Sequence, residues 1–167
     1  EDYGEGTTAV PVSGQAPLGM LNYYRTYTYP YTYGFYFRVP CPLTVMAWEV
    51  PDETKQGRMN LALYRFQSPP AMNTSVTPVY FKAGVASGSP HPLQAPVAYG
   101  PGEYLGVLGA CGPDARNYLC NSYGSGGPYQ AKIGSHRATL HYLRMGASIV
   151  ANRGVGQVYG SSSSSYA

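Results

Sequence analysis

The sequence predicts an all-β protein: a single antiparallel β-sandwich, jelly-roll-like or Ig-like, preceded by an extended N-terminal arm. Three observations carry that expectation. Tyr is unusually frequent at 18 residues, and Gly (21) and Pro (15) are both abundant. Tyr and Thr favour strands, Gly and Pro punctuate them, and strong helix formers are scarce. Short alternating segments then recur with turn signals every roughly 8–12 residues, the spacing of a sandwich. The 167 residues fit one domain, large enough to bury a core without relying on metal or disulfide.

Residues 1–19 hold Gly, Pro, Thr and small apolar residues without a core pattern, and read as an extended arm. Within it, the stretch from Thr7 to Val12 has strand character, and Pro11 confines it to a sheet edge. The domain proper is expected over residues 20–160. It opens on a Tyr-rich stretch with Tyr23, Tyr24, Tyr27, Tyr29, Tyr31 and Tyr33, several alternating with Thr. A strand carrying such a face is adhesive, since each ring offers apolar area and a hydroxyl.

Clear alternation follows at 33–39, 43–50 and 59–66, separated by the Pro40-Cys41-Pro42 turn and the polar loop 51–57. Residues 67–75 read as a loop, 77–86 as one strand and 87–94 as a turn region. Residues 96–111 read as a short strand, a tight Gly-Pro-Gly turn and an apolar strand from Tyr104. The stretch 118–130 reads as leading into a Gly-rich turn. The apolar run 138–150 reads as a strand bulged near Gly146 rather than a helix, because no cap is evident. A last edge strand and a flexible Ser-rich tail at 161–167 complete the chain.

Charged residues are only 11% of the chain, against about 25% in typical soluble domains. The net charge is +3, and no three Lys or Arg adjoin. Nucleic-acid binding needs a concentrated basic patch, so no nucleic-acid partner is expected. No apolar run reaches the length of a membrane span. The chain opens with Glu1-Asp2-Tyr3 rather than Met. That reads as an exported chain whose leader has been removed, although a boundary of other origin would look the same.

Of the three cysteines, Cys111 and Cys120 bracket a short loop that a disulfide would staple. Cys41 is left over, either as a buried free thiol or as a bond to another chain. No cysteine or histidine spacing suits a metal. His136 and His141 are five apart, an odd spacing that places them on opposite faces of a strand, and His91 sits between prolines in a turn. Glu49 and Glu103 are the carboxylates within strong strand patterns and read as outward-facing, so no glycosidase pair is expected. Ser-based catalysis lacks its signature. No catalytic residue, metal or cofactor is therefore expected. Candidate glycosylation sites are Asn73, in the sequon Asn73-Thr74-Ser75, and the run Ser161, Ser162, Ser163, Ser164 and Ser165.

Residues 33–50, YGFYFRVPCPLTVMAWEV, resemble the "G-x-x-F-x-V-x-x-P-x-T-V-x-A-x-x-V" opening of β-sandwich domains in exported bacterial proteins, many with PEP-CTERM sorting tails. MNLALYRF (59–66) fits the strand that follows in those domains. PVAYGPGEYLGVLGA (96–110) resembles their "P-V-x-L-x-x-G-x-Y-x-I-G-A". The resemblance covers residues 33–124. It implies a sandwich on the outside of a cell and carries over no active residue. The chain departs from the pattern in its arm, Tyr density, cysteine loop and tail.

Arm, Tyr-rich stretch, low charge and odd cysteine together point to a structural subunit of an extracellular assembly: a filament, sheath or surface layer. Copies of the chain are the expected partner, joined by strand addition and by Val10, Val12, Tyr23, Tyr24, Tyr27, Tyr29, Tyr31 and Tyr33. The alternative is a monomeric secreted module whose aromatic residues bind carbohydrate or another surface polymer, with surface glycans as partner.

Overall fold

A computed structural model describes residues 23–27, 32–112, 120–123 and 128–161, with the backbone alone at 23–27 and 120–123. The fold is all-β. Its strands are β1 (Tyr23–Tyr27), β2 (Thr32–Arg38), β3 (Leu43–Trp48), β4 (Arg58–Phe66), β5 (Thr74–Val76), β6 (Tyr80–Ala86), β7 (His91–Tyr99), β8 (Tyr104–Gly112), β9 (Cys120–Tyr123), β10 (Tyr129–Ile133), β11 (His136–Met145) and β12 (Gly156–Ser161). One short helix, α1 (Ile149–Asn152), joins β11 to β12.

The main sheet runs β5-β12-β11-β2-β8-β4-β6, with β10 paired to β11, and all its pairings are antiparallel. Its first and last strands are consecutive in the chain. Only Thr77, Pro78 and Val79 separate β5 from β6, and so short a link spans at most about 14 Å. The sheet must therefore curl until its two ends nearly meet. The inside of the curl is filled by Tyr36, Ala62, Tyr64, Phe66, Leu108, Leu143, Met145, Ile149 and Val158.

The outer face is also buried over much of its area. The ribbon β3–β7 lies across it, so that Leu43, Val45, Val97 and Tyr99 meet Phe35, Phe37, Leu105, Val107 and Leu140. Trp48, Val50 and Leu93 pack on Met59, Leu61, Leu63 and Cys111. Curled sheet and ribbon form the two layers of the sandwich. A second two-stranded ribbon pairs β1 with β9, which are the chain neighbours of the central strands β2 and β8.

Close strand approach depends on missing side chains at two points. A Cβ on Gly34 would lie 1.8 Å from Val107 O, and one on Gly106 would lie 2.6 Å from Phe66 Cε2. Tyr64 is fully buried, and its hydroxyl crosses the interior to donate to Gly154 O at 2.8 Å. That bond ties β4 to the segment between α1 and β12.

Several elements differ from the sequence expectation. The strand expected over 77–86 starts at Tyr80, and the loop expected over 67–75 ends in β5. The turn expected over 87–94 gives way to β7 at His91. Pro92 and Pro96 are tolerated there because β7 pairs with β3 alone among the described residues. The run 138–150 stops as a strand at Met145 and turns into α1, whose N-cap Ser148 accepts from Val150 N–H at 3.2 Å. Thr32 Oγ1 also accepts from Ile149 N–H at 3.2 Å. Residues 129–133 form β10 and close on β11 through Gly134 (φ 60°) and Ser135, a two-residue hairpin link. The last strand, β12, is interior to the sheet, between β11 and β5.

Leu108 is fully buried inside the curl, so Leu108→Ala is expected to cost about 2–5 kcal/mol in urea unfolding. Gly34→Ala is expected to cost more than Gly57→Ala in the same measurement. The obstacle at Gly34 is backbone, whereas a Cβ on Gly57 meets no atom within 4 Å, and its φ of 89° adds only local strain.

Candidate interaction surface

The structure places several chemically interesting side chains in local clamps. Asp52 lies in the loop between β3 and β4. Its carboxylate accepts from Gln56 N–H at 2.8 Å, Gly57 N–H at 2.7 Å and the Ser87 hydroxyl at 2.7 Å, while its carbonyl accepts from Lys55 N–H at 3.0 Å. Burial alone would raise its pKa, but the three hydrogen bonds outweigh it and hold the group below the ordinary 3.8. Glu49, Asp52, Lys55, Gly57, Ser87 and Gly88 line an open depression here. The Asp52 carboxylate is committed to the loop rather than to a ligand.

Glu103 is not a simple outward-facing strand residue. It closes the turn Gly100-Pro101-Gly102-Glu103, where Gly102 (φ 88°) takes the position that favours glycine and Gly100 O accepts from Glu103 N–H at 3.2 Å. Its carboxylate accepts from Gly100 N–H at 2.6 Å and Gln67 Nε2 at 3.3 Å, and pairs with Arg65 Nε at 3.1 Å. The Gly100 bond is the main reason its pKa is lowered. Arg65 also donates to Ala98 O and lies over the Tyr99 ring at 4.7 Å. Tyr99 in turn donates to Tyr64 O at 3.0 Å, and burial pushes its pKa up to about 12. Arg65, Tyr99 and Glu103 thus fasten β7 to β4 and β8, which sets the position of the β3–β7 ribbon.

At the other end of the ribbon, Trp48 Nε1 donates to the Tyr80 hydroxyl at 3.1 Å, and His91 meets the Trp48 ring edge-on at 5.5 Å. His91 therefore sits in a strand and not in a turn. His136 and His141 lie five apart in β11, and His141 packs on the Tyr36 ring at 5.1 Å. Glu49 is exposed.

The ribbon turns one face to solvent. Thr44, Met46 and Ala47 of β3 are exposed, as are Pro92, Gln94, Ala95, Pro96 and Ala98 of β7. Cys41, a half-buried free thiol, lies just before β3. Cys111 is buried in β8, its Sγ 3.3 Å from Pro51 O. The side chain of Cys120 lies outside the described residues, and so does the expected pairing of the two.

A row of tyrosines crosses the outer face beside the ribbon. Tyr33 of β2 lies 6.0 Å from Tyr142 of β11, Tyr142 lies 5.9 Å from Tyr159 of β12, and Arg144 covers the Tyr159 ring at 5.3 Å. Only Tyr33 was singled out by sequence reasoning. Tyr142 and Tyr159 join it through strand register, which no local pattern reveals. Of the other interface candidates, Tyr23, Tyr24 and Tyr27 place their backbone in β1. Their side chains lie outside the described residues, as do Val10, Val12, Tyr29 and Tyr31. Asn73 is exposed at φ 59°, just before β5. Ser161 ends β12 and so belongs to the sheet rather than to a tail, while Ser162–Ser165 lie outside the described residues.

No family model, no curated protein and no solved structure matches the chain.

Asp52 supplies a pH test. A carboxylate held below its unfolded value stabilises the fold above that value, and the contribution is lost as pH falls through the folded value. Urea midpoints taken from about pH 6 to about pH 2 should therefore drop in the native chain. Asp52→Asn should lower the midpoint at the upper end and flatten the acid limb. An equally steep limb in the variant would show that Asp52 does not contribute.

Proposed function

We propose that the chain is a non-catalytic structural subunit of an extracellular assembly, a filament, sheath or surface layer, that joins copies of itself by strand addition and Tyr-rich contacts. The observation that supports this best is the division of the β-structure into three sheets, two of them two-stranded ribbons, β1–β9 and β3–β7. Among the described residues, both outer edges of each ribbon are unpaired. Two strands are marginal on their own, and a row of unpaired N–H and C=O groups is a template for another strand. Self-repulsion between packed copies would be small, because charged residues are only 11% of the chain. Cys41 beside β3 is the candidate for a covalent link between chains.

The row Tyr33, Tyr142 and Tyr159 with Arg144 favours a second reading. Tyr142 is buried, but the half-buried rings of Tyr33 and Tyr159 beside a guanidinium suit a sugar or another surface polymer, in which case the chain works as a monomeric binding module.

Electron microscopy of the native protein separates the two readings. Regular filaments or sheets are expected, whereas dispersed monomers at high concentration together with glycan-array binding would favour the binding module. Removing residues 1–19 is expected to leave a folded domain that no longer assembles, and unchanged assembly would rule out strand donation by the arm. Cys41→Ser should abolish any dimer band on a gel run without reductant. A native chain that runs only as monomer there removes the covalent link.

A further inference from the structure

We infer that the outer edge of β3 is the acceptor for the added strand, and that the strand it receives is residues 7–12 of a second copy. This rests on the self-association reading above.

The other edges carry known defences against strand addition. Pro92 and Pro96 interrupt β7. β6 carries an exposed Lys82 and a bulge at Gly84 (φ 72°), whose N–H is taken by Asn60 Oδ1 at 2.8 Å and whose carbonyl is taken by Arg58 Nη1 at 2.8 Å. β5 has only three residues and β9 only four. β10 presents Lys132, and β1 contains Arg25. β3 reads Leu-Thr-Val-Met-Ala-Trp, with neither charge nor proline from 43 to 48. Its ladder to β7 shifts register between Val45 and Ala47, but it is the longest edge free of both charge and proline among the described residues, and its exposed side chains are Thr44, Met46 and Ala47.

The chain itself contains a complementary segment. Thr7-Thr8-Ala9-Val10-Pro11-Val12 is uncharged. In a strand, successive residues direct their N–H and C=O groups to opposite edges. Pro11 lacks an N–H, so one edge of this segment is interrupted, while the edge made by Thr8, Val10 and Val12 is complete. Such a strand can add to β3 but is a poor template for the next. Placed with Val10 and Val12 inward, it would extend the apolar layer of Leu43 and Val45.

The tether is long enough. Eleven residue steps separate Val12 from Tyr23 (23 − 12), or about 36 Å when extended. A domain of this size has a radius of gyration of about 15 Å, so the arm of one copy reaches the body of the next.

The test uses full-length chains carrying Cys41→Ser. One chain carries Ala9→Cys and another Thr44→Cys or Met46→Cys, positions that would share the outward face. A mixture of the two is oxidised gently and run without reductant beside chains without added cysteines. A cross-linked heterodimer is expected in the mixture alone. A link formed only within a doubly substituted chain, at high dilution, would mean that the arm folds onto its own β3 and would overturn donation between copies. With no link at all, sedimentation decides what falls. Persistent self-association would overturn β3 as acceptor and spare the assembly reading, while its absence would remove both. Independently, Met46→Lys places a charge on the exposed edge. It is expected to weaken association at least tenfold with unchanged urea unfolding, and unweakened association would overturn the assignment of β3.

Discussion

The three-residue link between β5 and β6 is the constraint on which the rest of the fold depends. It holds the two ends of a long antiparallel sheet within reach of each other, so the sheet has an inside. Every strand of the curl then needs a side chain for the interior on alternate residues, and the central strands need apolar residues on the other side as well. β4 meets both demands. Ala62, Tyr64 and Phe66 point inward while Met59, Leu61 and Leu63 meet the ribbon. The same crowding explains Gly34 and Gly106, where a Cβ would collide with the neighbouring strand or with Phe66.

Three of the charged groups hold this arrangement. Asp52 shapes the loop that carries the chain from β3 to β4, and Arg65 with Glu103 locks β7 over the sheet. The unpaired ribbon edges and the half-buried rings of Tyr33 and Tyr159 are surface of a different kind, backbone and aromatic.

Much of the fold was legible where alternation is long. β2, β4 and β8 lie where alternation places strands, and the Gly100–Glu103 turn announces itself by Pro101 and Gly102, whereas β3 keeps its period only as far as Met46, because a register shift after Val45 leaves Ala47 exposed and turns Trp48 into the core. Failures came where the signal is short or ambiguous. Thr74–Val76 is too brief to show a period. Pro92 and Pro96 argue against a strand in general but not against one at an edge. Ile149 and Val150 continue an apolar run, so the N-cap at Ser148 was easy to pass over. The interaction surface was harder still. Tyr33 could be picked out as part of a Tyr-rich stretch, but its meeting with Tyr142 depends on a pairing across more than a hundred residues. The openness of β3 is likewise a property of topology, because only the arrangement of all strands shows which edges remain unpaired.

The central place of β2 has a mechanical consequence. β2 sits in the middle of the main sheet, with β11 on one side and β8 on the other. Tension applied at the start of β2 would act along the axis of that strand. The hydrogen bonds to both neighbours lie across that axis, so they would bear the load together in shear instead of opening one after another. A pull on that end therefore acts on a strand braced on both sides against being drawn out of the domain.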